Sequence, residues 1–369
     1  MALSKIDLAN QVENQLPQSL VADNVNFRNI IINGDMSIAQ RGTSVSGITN
    51  ADGDVFVNDR FCWSESGSMT STFTMSQDTD VPSGQGFAKS LKLECTATDT
   101  PAAAERIRIE TRFEGQNLQY LKKGTSSAES WTLSFWVKSN KTGTYIVNFR
   151  DEDNTRIVSK AYTINSASTW EKKTITVAPD TTDPFDNDNG HSLTIAWILS
   201  AGSSLQSGSL ADVWQDYDNA NYANGQLNFA DTIGNEIYIT GVQLEAGTTA
   251  SDFEFLPFDV NLRRCERYYQ LIDIANGNTQ STTKITFNVP YRTETRATPS
   301  VSQTAVFKIT NYYSVDYTQS SVNYNIVASR ATNRAAETEA DNFSGLTGSG
   351  TPYGLIPNEG GKIILSSEL

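Results

Sequence analysis

The residues best suited to chemistry lie in polar loops. One loop runs Asp212-Val213-Trp214-Gln215-Asp216-Tyr217-Asp218-Asn219-Ala220-Asn221-Tyr222 and interleaves rings with carboxylates and amides. Sugar recognition uses that mixture, because the apolar face of a pyranose stacks on an aromatic ring while its hydroxyls exchange hydrogen bonds with Asp and Asn. Trp214, Tyr217 and Tyr222, with Asp216 beside them, are therefore candidate contacts to a glycan or a partner. A competing reading tucks Trp214 under the loop as a satellite of the core. A second loop, Asp180 to His191, carries Asp180, Asp183, Asp186 and Asp188 with no adjacent cation. Four such carboxylates could ligate a structural calcium, although the terminal Glu of the helix-loop-helix pattern is missing. The alternative is a solvated acidic loop. No organic cofactor is suggested. Tyr312, Tyr313, Tyr317 and Tyr324 form a third cluster, suited either to receptor contact or to packing between subunits.

Other chemistries find little support. His191 is the single histidine, so a His-rich metal cluster is impossible and any Ser-His-Asp or Cys-His arrangement depends on that one residue. Cys62, Cys95 and Cys265 are too few for a disulfide scaffold and read as buried free thiols. The sequence has no glycine-rich phosphate loop with its lysine, no paired Cys-x-x-Cys motifs and no nucleophile elbow. Acidic pairs are so common here that a pair of carboxylates singles out no glycosidase site. A non-enzyme is expected. The 28 Lys and Arg residues against 42 Asp and Glu give a formal charge of -14, a field that repels phosphate backbones and anionic lipid. Nucleic acid is excluded as a partner, and with no stretch near the roughly 18 apolar residues of a span, membrane insertion is too. The start of the chain lacks the pattern of a secretory signal, pointing to a soluble protein.

These loops need a scaffold, and the period of the apolar residues predicts one. In Trp131-Thr132-Leu133-Ser134-Phe135-Trp136-Val137-Lys138, Trp131, Leu133, Phe135 and Val137 share a face, and Trp136 is expected to cover the other. Similar strands read at 90–96, 106–113, 145–150, 173–178, 193–200 and 236–245, with a turn at Asp151-Glu152-Asp153-Asn154. The array predicts one large β-sandwich over 27–258. Asp259 can cap a short helix carrying Leu262, Cys265 and Tyr269 on neighbouring turns, bridging to a smaller β domain within 259–369. Strands there read at 284–290, 300–310, 321–328 and 362–365. Residues 1–26 differ: Leu8, Val12 and Leu16 recur at helical spacing, Ser4 could cap and Pro17 could stop the helix. That segment reads as a docking or oligomer-forming anchor, with an extended tail as the alternative.

Several segments, in order, resemble tail fibres and related virion appendages of tailed bacteriophages. They are the run Arg28-Asn29-Ile30-Ile31-Ile32-Asn33-Gly34-Asp35-Met36-Ser37-Ile38-Ala39-Gln40-Arg41-Gly42-Thr43, similar to the opening strand of carbohydrate-binding-like phage modules; Asn58-Asp59-Arg60-Phe61-Cys62-Trp63; Gln243 to Glu254; Cys265-Glu266-Arg267-Tyr268-Tyr269-Gln270; Val289-Pro290-Tyr291-Arg292 with Arg296-Ala297-Thr298-Pro299; and the terminal Ile364 to Leu369. The resemblance runs from Arg28 to Leu369 and implies a jelly-roll-like sandwich; with the strand reading this makes an all-β chain with a smaller C-terminal β domain, preceded by the short helical or extended anchor read from residues 1–26. It also implies a homotrimer on the exterior of a virion assembled in the host cytoplasm and meeting a bacterial surface glycan; residues 1–26 are then the segment expected to dock on other virion proteins, at tail, baseplate or capsid. A tail fibre in host attachment is the first expectation, and a capsid head fibre or decoration protein the second.

Overall fold

The computed structural model describes residues 27–311, 315–321, 324–356 and 361–369. The strands of the larger unit are β1 (Ser44–Ile48), β2 (Val55–Phe56), β3 (Cys62–Ser66), β4 (Thr72–Asp78), β5 (Ser90–Ala97), β6 (Arg106–Glu114), β7 (Trp131–Ser139), β8 (Gly143–Asp151), β9 (Arg156–Ile164), β10 (Glu171–Val177), β11 (His191–Ala201), β12 (Gln215–Asp216) and β13 (Glu236–Ala246). They form two antiparallel sheets ordered β1-β4-β5-β13-β7-β10 and β12-β9-β8-β11-β6-β3-β2. The period-two pattern dictates this pairing of faces. On β7 the side chains of Trp131, Leu133, Phe135 and Val137 point into one core, where they meet Ile195, Trp197 and Leu199 of β11. Phe135 and Trp197 join the sheets edge to face at 5.6 Å and 85°, a geometry that contributes about 0.5–1.5 kcal/mol beyond simple burial.

Both sheets are also covered on their outer faces. On the six-stranded sheet Trp136 packs beside Phe87, as expected of the residue that breaks the β7 alternation. A Cβ on Gly241 would lie 2.6 Å from the Phe87 ring and 3.0 Å from Trp136, so the β13 bulge at this point requires glycine. On the seven-stranded sheet, residues between β11 and β13 fold back over Ile146, Ile157 and Ile198 as a second, smaller apolar cluster containing Leu205 and Tyr222. All three cysteines are free and buried.

A short helix follows, α1 (Phe258–Glu266). Its cap position is Pro257, not Asp259, which lies in the first turn, and Tyr269 is no part of it. The amide of Asn261 explains the helix's placement: it donates to Asp35 and Ser37 and accepts from the Asn33 backbone. The C-terminal unit comprises β14 (Tyr269–Ile272), β15 (Asn276–Thr279), β16 (Ile285–Pro290), β17 (Ser300–Gln303), β18 (Lys308–Asn311), β19 (Asp316–Thr318), β20 (Tyr324–Ala331), β21 (Ala335–Ala340), β22 (Pro352–Leu355) and β23 (Ile363–Ser366). It has its own core, with Phe287, Phe307, Tyr353 and Leu365 among its members. The single strand expected over 300–310 is two. β17 joins a three-stranded sheet and β18 a seven-stranded one, because the chain turns at Ala305 where Gly361 packs against its carbonyl.

Four of the segments that carry the resemblance, at 28–43, 58–63, 265–270 and 364–369, meet at the joint between the two units. Glu114 of β6 accepts two 2.7 Å hydrogen bonds from Arg267 and one from the Tyr268 hydroxyl. Arg60 pairs with Glu368 and lies 3.5 Å over the Tyr268 ring, and Arg41 covers Tyr269 at 3.6 Å. Asp59 fixes the approach by accepting from the Gln40 backbone at 3.0 Å.

Candidate ligand cleft

Strand β6 reads Arg106-Ile107-Arg108-Ile109-Glu110-Thr111-Arg112-Phe113, so its odd-numbered positions enter the core and its charged even-numbered positions line the outer face. Register then builds a site. In one row across the sheet, Arg112, Thr194 and Arg150 stand side by side on β6, β11 and β8. In the next row the neighbours are Glu110, Ala196 and Asn148. Strands lie about 4.8 Å apart, so the small Ala196 leaves a gap of roughly 10 Å between the backbones of Glu110 and Asn148. The folded-back loop walls one end with Tyr222, while Leu369, accepting from Arg112 at 2.5 Å, lies toward the other. The resulting cleft has a volume of about 250 Å3.

Its floor is polar and unevenly satisfied. Glu110 is bonded by both Arg108 and Arg112. Burial works against its ionisation, but the two guanidiniums outweigh it and hold the carboxyl below the usual range. Glu152 is different: burial dominates and pushes its carboxyl up, against Arg150 at 3.1 Å and the Thr194 hydroxyl at 2.9 Å. Because the one Thr194 proton goes to Glu152, Thr194 must accept from His191 Nε2 at 2.8 Å, which fixes the imidazole tautomer. Burial, then repulsion from Arg112, depresses His191 to about 4, so it is neutral near pH 7. Asn148 is the exception to this pairing. It is 1% exposed, yet neither its amide nitrogen nor its oxygen has a protein partner. A buried unmatched amide costs on the order of 1–3 kcal/mol, and here it lines an open cleft.

The structure distributes the residues expected to bind. Trp214 is half-buried, sits edge-on to Trp131 at 5.2 Å and 69°, and donates to the Ala178 carbonyl. It is a satellite of the core. Tyr217 and Tyr222 turn instead to the cleft side, their rings 6.1 Å apart, beneath Arg150 and Arg106 respectively at 4.9 Å and 4.8 Å. Asp216 points outward and pairs with Arg156. The three aromatic residues therefore do not form one platform.

The calcium expectation is corrected. Asp180 lies 3.3 Å from Lys123 and 3.1 Å from Arg156, so the acidic loop has cations that are distant in sequence. Lys123 Nζ also pairs with Asp151 at 2.7 Å and donates to the carbonyls of Thr182 and Asp183. Its ammonium occupies the centre a metal would take. Asp188 Oδ1 accepts from Gly190, and among the described residues the four aspartates do not converge within reach of one ion. The one acidic group that does converge there is Asp54, Cys62 and Glu110, but the Arg112 guanidinium bridges its two carboxylates. Tyr312, Tyr313, Leu8, Val12 and Leu16 lie outside the described residues. Tyr317 packs edge-on to Tyr353 at 5.5 Å.

A larger cavity of about 330 Å3 lies at the joint between the units. Several of its polar groups are already matched: Arg60 and Arg267 are paired as above, the Tyr120 hydroxyl donates to the Arg28 carbonyl, and Arg264 donates to the Ile30 carbonyl at 3.3 Å. Sequence reading overlooked Arg106, Arg150, Asn148, Glu152 and Thr194. The available signal was the alternation of four charges along one strand face at 106–112, which exceeds what a solvated face needs.

No family model matches this chain, and no curated protein matches it. Among solved structures, the enzymatically active domain of bacteriophage CBA120 tailspike protein 4 is similar at 14% identity and a TM-score of 0.30, over 59% of this chain and 21% of that one. The chain thus spans about a fifth of that structure's length. A putative sugar binding protein of Bacteroides thetaiotaomicron is similar at 12% identity and a TM-score of 0.31, over 59% of this chain and 99% of the other. The family 11 carbohydrate-binding module of a Clostridium thermocellum cellulase is similar at 9% and 0.28, over 56% and 97%.

Proposed function

We propose that this chain is a non-catalytic glycan-binding protein of a bacteriophage virion, a tail fibre that attaches to a bacterial surface as a homotrimer. The observation that carries the binding reading is Asn148, a buried amide with two donors and two acceptor lone pairs unmatched in an open cleft. The amide atoms themselves are covered, so a sugar hydroxyl, which both donates and accepts, reaches them as the side chains over the cleft floor part. The same cleft speaks against hydrolysis. Both oxygens of Glu110 are held by guanidiniums, and those of Glu152 face Thr194 and Arg150, so neither carboxylate is a free base or nucleophile.

The virion and tail-fibre parts rest on the ordered resemblance of the segments from Arg28 to Leu369. Three chains, each binding weakly, would gain adhesion through avidity. Titration of the full chain with host surface polysaccharide, by calorimetry, tests the binding reading. Binding lost in Asn148→Ala with the melting temperature kept supports it, and equal binding by the variant refutes the cleft as the site. Light scattering of the full chain and immunogold labelling of intact particles test the trimer and the tail location. A monomer, or label on the capsid, would overturn those parts.

A further inference from the structure

We infer that the cleft selects saccharides bearing a carboxylate, an inference that rests on the glycan reading and narrows its ligand class. Four guanidiniums reach this face, and their partners divide them. Arg108 and Arg112 are matched by Glu110, with Asp54 adding a second carboxylate to Arg112. Arg106 and Arg150 are not matched in this way. Arg106 spends one nitrogen on the Tyr217 hydroxyl at 3.2 Å, and its buried Nε has no hydrogen-bond partner. Arg150 meets Glu152 only as an ion pair, Nε to Oε2 at 3.1 Å, and that buried Nε has no hydrogen-bond partner.

The rings beneath them prepare both groups for an anion. Arg106 rests over Tyr222 and Arg150 over Tyr217, so each guanidinium plane is held on an aromatic face with donor edges left over. A planar fork fixed in this way suits bidentate pairing with a carboxylate. These cations belong to no general basic surface, because the chain as a whole carries -14. A long polyanion such as nucleic acid meets net repulsion, whereas an acidic sugar that enters the cleft meets Arg106 and Arg150 at close range. The Asn148 amide, deeper in the same cleft, then takes hydroxyls.

Biolayer interferometry of the full chain can separate the possibilities. The probes are oligosaccharides of polygalacturonate, alginate, hyaluronan and polysialic acid, each in native and carboxyl-reduced form, with neutral dextran and galactan oligomers alongside. At least one native acidic probe is expected to bind, and reduction of its carboxyls is expected to weaken binding by roughly tenfold or more, as loss of a charge-assisted pair implies. Arg106→Gln and Arg150→Gln should each weaken it by about the same factor. Arg150→Lys, which keeps the charge but not the fork, should fall between, and Lys172→Gln, on the opposite sheet, controls for net charge and should match the parent. Melting curves confirm that each variant folds. If neutral probes bind, lose binding in Asn148→Ala and are indifferent to Arg150→Gln, acid selection is wrong while the glycan reading stands. If no probe of either kind binds, both readings fall.

Discussion

Lys123 has its whole side chain buried, with its ammonium between Asp151 and Asp180 and 5.4 Å over Trp214. Removing one partner of a buried pair leaves the other charge uncompensated, so Lys123→Met should destabilise the protein by about 3–5 kcal/mol in urea melts, with calcium unable to restore it. Trp214→Ala should also act on stability, by about 2 kcal/mol, through lost packing on Trp131, and should leave ligand affinity unchanged in the folded fraction. His191 gives a pH signature. Its folded pKa of about 4 lies below the ordinary 6.5, so the unfolded chain takes up a proton that the folded one refuses. Its contribution to stability is full above about pH 6.5 and is lost as pH falls toward 4, by on the order of 3 kcal/mol. His191→Gln, which keeps a donor to Thr194, should flatten the curve of stability against pH over that window.

At the scale of elements, β6 and β11 act as a pair with opposite tasks. Their inward faces supply Ile107, Ile109, Ile195 and Trp197 to the core, and their outward faces supply charge on one strand and the small Ala196 on the other. Had position 196 been large, the gap between Glu110 and Asn148 would be filled. β13 depends on a different device. Gly241 has φ of +62° at the bulge, and a Cβ there would meet the Phe87 and Trp136 rings, so Gly241→Ala should cost about 1–3 kcal/mol from backbone strain, with more from repacking. Thermal melts of the variant check this. An unchanged melting temperature would mean that the bulge relaxes freely.

At the scale of the molecule, the two cores are tied through Glu114, whose side chain is fully buried. Burial opposes its ionisation, but hydrogen bonds from Arg267 and Tyr268 prevail and hold the carboxyl below the usual glutamate range. The joint's contribution is therefore present above the ordinary carboxylate pKa and is lost as pH falls through the depressed one. Arg267→Ala should weaken the joint by about 2 kcal/mol. Hydrogen exchange should then show β14 and β23 losing protection while β7 and β11 keep theirs. Uniform loss throughout would mean that the two units unfold as one.

Strand identity was legible because it is local. Alternation in 131–138 and in 193–200 follows from the two-residue period of an extended chain, whatever lies across the sheet. The all-β class and most strands could thus be read directly. The joint-forming motifs were visible as a resemblance, but the pairing of Glu114 with Arg267 was not. Which polar residues meet depends instead on how distant segments are brought together by the fold. Asp180 looked free of cations because Lys123 and Arg156 lie elsewhere in the chain, and the helix expected to include Tyr269 ended at Glu266 because Tyr269 pairs with Ser366 on β23. Asn148 and Arg150 carried no signal in their own segment. They became a site when register set them beside Ala196 and Thr194, and register depends on the packing of both faces of the sheet, to which residues from the whole chain contribute.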